Sequence, residues 1–409
     1  MTWAFEFGRE GIWNWTPRTN PVVLHHSGPK ETVDATAAVR AGLTQPLDFP
    51  PLSSALVDGD RVVLAIDRGL PQAAEIVAGV WPVLSESGIR PQDVLILQPG
   101  GWTSSGQRLD PREKLPEAVR KEFRWETHDP TADGACGYLA TSAGGERIYL
   151  SHKILEADFV LPITLAGFDA LQGTRSPMSV LYPGLSTPEA FAKTHGQGHR
   201  ELQPEDDRPM RQLIEEIGWL LGAQFAVQLI PGGRRGSTAD VLAGGVESVQ
   251  RQVLQRLNDW WRVQWPARAE TVVVTVPTAG ETASWSDVGR AVEVARSVVE
   301  HGGKIVVLSD LQSPPGAGIE QLRGQPSPRA GLQPLREQAP PDLQAASQWA
   351  HAADWARIYL LSQLEPDLVE ELFAVPLRDV VEVERLLAST EECAVITTAQ
   401  STFAEIVES

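Results

Sequence analysis

The stretch ETVVVTVPTAGETASWSDVGRAVEVARSVVEHGGKIVVL, residues 270–308, decides the fold class. It opens and closes on short apolar runs, Glu270–Val276 and Lys304–Leu308, of the kind that form strands buried on both faces. Between them the apolar residues fall on one helical stripe, with Ser286 as the expected N-cap and Gly302 as the expected terminator. This strand–helix–strand order predicts an α/β protein with mostly parallel sheets.

Apolar runs of the same kind recur along the chain and extend the α/β interpretation towards both ends. They are Arg61–Ile66, Asp93–Gln98, Asp158–Ile163, Ala356–Ser362 and Ala394–Thr398. An amphipathic helix from Gln252 runs to Trp265–Pro266, which we take as the boundary between domains 1–265 and 266–409. The tryptophans of NDWWRVQW favour interdomain packing over an aromatic ligand platform. The segment Leu311–Pro341 carries seven prolines and predicts a Pro-rich loop insertion.

The composition excludes several classes of function. Of the 409 residues, 42% are hydrophobic, which is typical of a globular protein and not of a disordered chain. A net charge of −18 repels phosphate backbones and anionic lipids, so we expect neither nucleic acid nor a membrane as partner. A small anionic substrate held in a local basic pocket is compatible with that charge. The sequence shows no secretory pattern and no apolar run of membrane length, so we expect a cytoplasmic protein.

The ends of the predicted strands offer the first candidate ligand contacts. Asp67 and Arg68 follow the run Arg61–Ile66, and the carboxyl ends of strands border ligand crevices in open α/β sheets. Gly100 and Gly101 follow the next run, where backbone N–H groups could cradle an anion. Their loop is neither a Walker A nor a GxGxxG motif, so an ordinary strand-exit turn is the alternative.

Three further clusters carry titratable or cationic side chains. His195 and His199 are four residues apart and would chelate a metal on one helix face, although the glycines between them disfavour a helix. His128, followed by Asp129, is a candidate acid–base pair, with a simple turn as the alternative. Arg234-Arg235 lies between glycines and either meets an anion or forms a solvated loop.

Taken in order, these segments resemble the nickel-pincer lactate racemase family over nearly the whole chain. The resemblance begins at AAVRAGLTQPLDFPPLSSALVDGDRVVLAID, residues 37–67. It continues through Leu95–Gly101, through YPGLSTPEAFAKTH at residues 182–195, and through the strand–helix–strand unit at Val272–Leu308. The resemblance implies two α/β domains with the active site in the cleft between them.

The resemblance also implies an activity and a cofactor. In that family a nickel ion, carried by a lysine-tethered pyridinium pincer, takes a hydride from the α-carbon of a 2-hydroxy acid and returns it to either face. Two histidines act as alternate bases on the substrate hydroxyl, and a third histidine binds nickel. By this likeness the nickel ligand falls on His195 and the strand-end aspartate falls on Asp67.

Several positions depart from the family pattern. Trp102 stands where the first base is expected, Asp169 at the second base, and Ser179 at the tethering lysine. The family's arginine is missing or shifted to Arg68, and a Gln-x-x-Lys motif of the second domain ends on Arg290. An indole N–H is only a donor, and a serine hydroxyl does not form the amide-type tether. We therefore expect pincer-dependent racemisation to be lost or changed in this chain.

The site hypothesis combines these positions. It takes Asp169 and His128 as catalytic residues, Asp67, Arg68, Trp102 and Arg290 at the substrate, Gly100, Gly101 and Ser179 at the cofactor, and His195 on the metal. A lactate racemase-like enzyme acting on a small anionic hydroxy acid is the first functional hypothesis. A non-catalytic ligand-binding or regulatory protein with the same cleft is the second. A metal enzyme that uses its histidines without a pincer is the third.

Overall fold

The computed structural model describes residues 2–16, 22–100, 109–194, 196, 198, 202–280, 282–388, 390 and 392–407. The strands are β1 (Trp3–Phe7), β2 (Gly11–Trp15), β3 (Val22–His26), β4 (Val62–Ile66), β5 (Val94–Gln98), β6 (Arg124–Thr127), β7 (Cys136–Thr141), β8 (Arg147–Ser151), β9 (Phe159–Leu165), β10 (Phe168–Asp169), β11 (Gly173–Thr174), β12 (Phe225–Pro231), β13 (Thr238–Gly245), β14 (Arg262–Trp265), β15 (Ala269–Thr275), β16 (Val299–Leu308), β17 (Arg357–Leu361), β18 (Ala374–Leu377), β19 (Glu392–Ile396) and β20 (Phe403–Ile406). The α-helices are α1 (Ala35–Thr44), α2 (Ala73–Glu86), α3 (Glu117–Glu122), α4 (His152–Leu155), α5 (Pro188–Lys193), α6 (Pro209–Leu221), α7 (Val246–Trp261), α8 (Trp285–Val298), α9 (Ala317–Leu322), α10 (Pro328–Gln338), α11 (Leu343–Trp355), α12 (Pro366–Glu371) and α13 (Val380–Leu387).

The first sheet has the strand order β13-β12-β9-β4-β5-β6. Its strands run parallel except for β13, which is antiparallel to β12. The all-apolar sequence of β4 follows from burial on both faces, because alternate side chains enter two different cores. Leu64 and Ile66 pack into one core, while Val63 and Ala65 pack into the other.

The second sheet has the order β18-β17-β16-β15-β19-β3 and is parallel throughout. Val272 and Val274 of β15 face the core that contains α8 and α11, and Val273 faces the opposite core. The strand β3 comes from the beginning of the chain and completes this sheet beside β19. The predicted α/β class with mostly parallel sheets is confirmed.

Helix α8 begins one residue before the serine expected to cap it. Ser284 is the N-cap, and it forms a capping box with Asp287, so the expectation that Ser286 caps the helix is wrong. The earlier start places Trp285 at the first helical position, where it is 6% exposed and packs in the core. Burial of this indole favours the longer helix.

The expectation that Leu311–Pro341 is a loop is also wrong. The segment contains α9 and α10, whose Ile319 and Leu335 are fully buried. Pro328 lies in the first turn of α10, where a backbone N–H has no partner within the helix, so its absence in proline costs no hydrogen bond. Two of the seven prolines, Pro328 and Pro334, lie within α10, and the other five lie outside both helices, so the proline count alone is a poor guide to irregular structure here.

The tryptophan-rich stretch after Gln252 forms the end of α7 and the strand β14, which pairs with β20. Trp261 is fully buried, and its indole N–H donates to the carbonyl of Pro231 at 3.0 Å. These contacts agree with a packing role for the tryptophan. The division into domains 1–265 and 266–409 stays a prediction. Among the helices of the described residues, we find none long and apolar enough to cross a membrane.

Candidate functional site

A cleft of about 630 Å³ is lined by elements of both sheets. Its walls come from the ends of β4 and β9, the β12–β13 connection, the first turn of α8 and the start of α11. The carboxyl ends of parallel strands continue into loops, which present side chains and backbone groups to a ligand. The cleft is therefore the candidate site, in the place that the sequence analysis predicts.

Asp67 is the most buried carboxylate of this cleft, at 5% exposure. It follows β4 directly, and its Oδ2 accepts a hydrogen bond from the backbone N–H of Leu165 at 3.0 Å. The same oxygen lies 3.1 Å from the guanidinium of Arg175. A buried carboxylate needs such partners, because an uncompensated charge would be strongly destabilising. The sequence analysis missed Arg175, because no local motif distinguishes it from the other arginines and lysines of the chain. Arg68, which the sequence analysis did select, also lines the cleft.

Asp169 and Ser179 both line the cleft, as the resemblance implies. The Oδ1 atom of Asp169 accepts hydrogen bonds from the backbone N–H groups of Leu171 and Gln172, at 2.8 and 2.9 Å. Within the described chain its Oδ2 atom has no hydrogen-bond partner. The Ser179 hydroxyl lies 2.9 Å from the Gln172 Oε1 and 2.6 Å from the Ser176 carbonyl oxygen. Asp169 thus keeps one oxygen for a ligand, whereas the Ser179 hydroxyl is engaged by the scaffold.

Two glycines place the backbone of the cleft wall against its support. A Cβ on Gly100 would lie 2.5 Å from the His128 carbonyl oxygen, and a Cβ on Gly184 would lie 2.5 Å from that of Val180. Both glycines line the cleft, so a side chain at either position would displace this wall. Gly101 and Trp102 lie outside the described residues, and their roles stay predictions.

Arg290 enters the cleft from α8. Its Nη2 donates to Oδ1 of Asp287 at 2.7 Å, and Asp287 is itself fixed by the capping box at the start of the helix. The Nε of Arg290 is buried, and no acceptor for it exists among the residues that the structure describes. This guanidinium therefore carries a buried donor whose hydrogen bond the described residues leave unsatisfied.

The neighbours Arg234 and Arg235 in the β12–β13 connection have opposite surroundings. Arg235 donates through Nη2 to the carbonyls of Phe7 and Gly11, at 3.2 and 2.7 Å. Its backbone N–H also donates to Glu6 at 2.7 Å. The side chain of Arg234 is exposed along the cleft, and none of the described residues forms an ion pair or hydrogen bond with it. The sequence left two alternatives for this pair, contact with an anion or a solvated loop. Arg235 follows neither of them, because its side chain binds the N-terminal hairpin.

His128 does not line the cleft. Its Nε2 lies 2.9 Å from the carbonyl oxygen of Ser186 and 3.7 Å from the Sγ of Cys136. Burial lowers the pKa of His128 below its ordinary value. The neutral ring then donates Nε2–H to the carbonyl, since a carbonyl can only accept. The ring of His128 thus contacts the scaffold, and its catalytic role stays a prediction.

The metal predictions rest on His195 and His199, which lie outside the described residues. Within the described ranges, no group of three or more His, Cys, Asp or Glu side chains could hold a metal ion. In the same ranges the cleft lining contains no lysine, histidine or cysteine. A tethering amine is therefore missing from the described part of the cleft.

Comparison with known proteins agrees with this architecture. Residues 12–203 match the family model of the lactate racemase N-terminal domain. The structure resembles that of the lactate racemase apoprotein from Thermoanaerobacterium thermosaccharolyticum, with a TM-score of 0.78 and 12% identity, over 99% of this chain and 100% of that chain. It also resembles a structural genomics protein from Thermotoga maritima, with a TM-score of 0.70 and 13% identity, over 92% of this chain and 100% of that chain. No curated protein matches the sequence. The predicted resemblance to lactate racemases is confirmed for the N-terminal domain and for the fold.

Proposed function

We propose that this protein, which carries a lactate racemase N-terminal domain on the lactate racemase fold, binds a small 2-hydroxy acid as a divergent racemase-like protein without a lysine-tethered pincer. The observation that carries the proposal is the charge of the cleft. Five arginines line it, namely Arg68, Arg175, Arg234, Arg235 and Arg290. A concentration of guanidinium groups in a chain of net charge −18 favours an anionic ligand at this place.

Four aspartates line the cleft beside the five arginines, and two of them pair with arginines of the cleft, so the lining keeps a small positive excess. Asp67 contacts Arg175, and Asp169 accepts from two backbone N–H groups. Asp287 caps α8, and Asp342 accepts from the N–H groups at the start of α9. Their charges are thus locally compensated by donors of the scaffold.

Arg290 is the residue that we assign to the substrate carboxylate. Its Nε is a buried donor with no acceptor among the described residues, and its orientation is held by Asp287. A carboxylate supplied by a ligand would satisfy that donor. Arg68, at the end of β4, lines the same cleft and is the second candidate for this contact.

Asp169 is the residue that we assign to the substrate hydroxyl. Two N–H groups hold its Oδ1, and this fixes the plane of the carboxylate. Oδ2 remains available to accept a proton from a hydroxyl group on the ligand. The proposal needs no residue outside the described cleft for these two contacts.

The residues present do not fit a lysine-tethered pincer. Ser179 occupies the expected tether position, and its hydroxyl is engaged by Gln172 and Ser176. A serine hydroxyl lacks the amine nitrogen that an amide-type tether requires. We therefore derive no catalytic step through that group. The nickel contact predicted for His195 stays a separate prediction.

A ligand-binding protein without racemase activity is the second candidate function. Racemisation as the family performs it uses a base on each side of the substrate carbon, whereas His128 contacts the scaffold and lies off the cleft. Among the described side chains of the cleft, Asp169 has the one carboxylate oxygen that we assign as a base. We further propose a cytoplasmic location, which imaging of the tagged protein in its native cell would test.

The proposal is tested on protein purified from its native cell. Intact mass and nickel content report on a pincer, calorimetry reports lactate binding, and chiral chromatography reports racemisation. We expect the unmodified mass and a lactate affinity that falls at least tenfold in Arg290→Gln, because a charge-assisted contact is lost. Arg40→Gln, at an exposed arginine paired with Glu86, is the matched control and should bind like the unaltered protein.

Two results would contradict the proposal. Covalently added pincer mass together with nickel and lactate turnover would restore the tethered chemistry despite Ser179. Absence of binding for every 2-hydroxy acid tested, lactate included, or binding that is equally strong in Arg290→Gln and Arg40→Gln, would remove the assigned ligand site. Thermal unfolding of both variants checks that the loss of the Asp287 contact has not unfolded the protein.

A further inference from the structure

The β12–β13 connection is a rigid part of the cleft that the proposed contacts leave unused. Its N–H of Gly232 donates to the Ser237 carbonyl at 2.8 Å, and the N–H of Gly233 donates to the Pro29 carbonyl at 2.8 Å. A Cβ on Gly233 would lie 2.1 Å from the Ser27 carbonyl oxygen, so the backbone of the connection packs directly against the backbone of the segment that follows β3. The connection is thereby tied to the segment at residues 27–29 by a hydrogen bond and by close packing.

Arg235 fastens the same connection from its other side. Its guanidinium donates to the carbonyls of Phe7 and Gly11, and its backbone N–H donates to Glu6. These are all residues of the hairpin formed by β1 and β2. Arg235 therefore positions the loop through its contacts with the hairpin. Arg234 lies beside it on the same loop and lines the cleft.

Thr278 meets this loop from the second half of the chain. Its Oγ1 is buried, and the described residues supply no hydrogen-bond partner for it. Thr278 lines the cleft together with Arg234, and the loops are adjacent, because a Cβ on Gly236 would lie 2.7 Å from the Cβ of Ala279. An exposed cation and a buried hydroxyl, for which the described part of the chain supplies no hydrogen-bond partner, thus border one cleft at neighbouring loops.

We infer that Arg234 and Thr278 form a second anion subsite, so that the natural ligand carries a carboxylate or phosphate group in addition to its 2-hydroxy carboxylate. The inference rests on the proposed function and specifies its substrate class. A guanidinium and a hydroxyl are donors that suit either anion. The volume of about 630 Å³ also exceeds what a three-carbon acid needs, since sites of about 300–1,000 Å³ hold considerably larger ligands.

Calorimetry with two matched pairs of acids tests this inference. Malate is compared with 2-hydroxybutyrate, and 3-phosphoglycerate is compared with glycerate. Each pair shares the 2-hydroxy carboxylate and differs by the second anionic group. We expect the doubly charged member to bind at least tenfold more tightly in one pair or both, and the pair with the larger ratio identifies carboxylate or phosphate as the preferred group.

Variants connect that preference to the two residues. Arg234→Gln should remove most of the gain from the second charge, and it should weaken the singly charged acids much less than the doubly charged ones, since Arg234 adds only general positive charge to their binding. Thr278→Val, which keeps the shape of the side chain, should reduce the gain about threefold, as loss of one neutral donor does. Arg234→Lys should retain part of the gain, and Arg40→Gln is the control with an exposed arginine elsewhere.

The outcomes separate this inference from the proposed function. If the singly charged acids bind and the second charge adds nothing, or if Arg234→Gln leaves the gain intact, the subsite is wrong and the proposed function stands. If none of the four acids binds, the proposed function fails and the subsite fails with it. A gain that also shrinks between 10 and 100 mM salt supports an exposed guanidinium, because the screening length falls from about 30 to about 10 Å over that range.

Discussion

The cleft and the N-terminal layer formed by β1, β2 and β3 bury polar side chains in opposite ways. In the cleft, Asp67 and Asp169 accept hydrogen bonds from backbone N–H groups, so their charged forms are compensated. In the N-terminal layer, His25 and His26 have buried Nε2 atoms without a partner among the described residues. The His25 ring packs edge-on against Trp3, and the His26 ring packs edge-on against Trp261.

This difference shows where the molecule is built to hold charge and where it is not. A carboxylate that accepts hydrogen bonds from nearby donors is stabilised where it is buried, and it can face a ligand. An imidazole that packs against an indole ring, and whose buried Nε2 lacks a partner among the described residues, favours its neutral form. We therefore expect the stability of the cleft to respond to substitutions of its closely packed glycines and its charged side chains. We expect the stability of the N-terminal layer to respond to a decrease in pH.

The largest effect is expected at a glycine of the cleft wall that packs directly against backbone. Gly184→Ala would place a Cβ 2.5 Å from the Val180 carbonyl oxygen, which is backbone and cannot move aside as a flexible side chain can. We expect the free energy of unfolding to fall by about 3 kcal/mol or more. Denaturant titration followed by circular dichroism measures this change.

Gly167→Ala is the matched control for that substitution. Gly167 also lines the cleft, but a Cβ there would have nothing within 4 Å. Its stability should change by less than about 0.5 kcal/mol. Equal behaviour of the two variants would show that the wall yields to an added methyl group, and close packing at Gly184 would then not distinguish the cleft from the N-terminal layer.

The N-terminal layer should respond to pH. Burial lowers the pKa of His26 to about 4, with a smaller contribution from neighbouring His25, whose own pKa is lowered by burial and by Lys30. The unfolded chain therefore binds protons at higher pH than the folded protein does. Stability from His26 is complete above about pH 6.5 and is lost as the pH falls towards 4, by about 3 kcal/mol at most.

Denaturant titrations at pH 7.5, 6.0, 5.0 and 4.5 measure this dependence. In His26→Phe the edge contact with Trp261 can be kept while the titrating group is removed. The loss of stability between pH 6.5 and 4.5 should then be clearly smaller than in the unaltered protein. Parallel curves for the two proteins would assign the acid sensitivity to other groups.

The sequence was a good guide to the strands because apolar runs buried on both faces have few alternatives. The predicted run Arg61–Ile66 contains β4 and one residue before it, and the run Lys304–Leu308 forms the second half of β16. It was a poor guide to the segment 311–341, where tertiary burial of Ile319 and Leu335 stabilises helices in spite of prolines. The pairing of β3 with β19 is equally hidden, since a short strand carries no mark of a partner far along the chain.

The candidate site was predictable as a place more than as a set of contacts. The rule that ligands meet the carboxyl ends of strands was sufficient to select Asp67. No sequence rule separates Arg234 from Arg235, because identical neighbours acquired different surroundings only when the hairpin of β1 and β2 packed on one of them. The engagement of Ser179 by Gln172 depends in the same way on the folded turn.

The smallest expected effect concerns the compensated charge of Asp67. Asp67→Asn keeps the size of the side chain and an oxygen for the Leu165 N–H, but it removes the charge that Arg175 meets at 3.1 Å. We expect a loss of about 2 kcal/mol in the free energy of unfolding, as for other hydrogen bonds to buried charged groups. Glu86→Gln breaks an ion pair whose side chains are 52% and 64% exposed, and it should change stability by less than about 0.5 kcal/mol.

Lactate binding by the same variant decides whether Asp67 belongs to the scaffold or to the ligand site. If Asp67 only compensates Arg175, the substitution releases a guanidinium into the cleft, and the affinity for an anion is retained or increased. If Asp67 instead contacts the ligand hydroxyl, affinity falls while the guanidinium becomes available. Reduced lactate affinity in a variant that is still folded would therefore move Asp67 from the group of compensated charges to the group of ligand contacts.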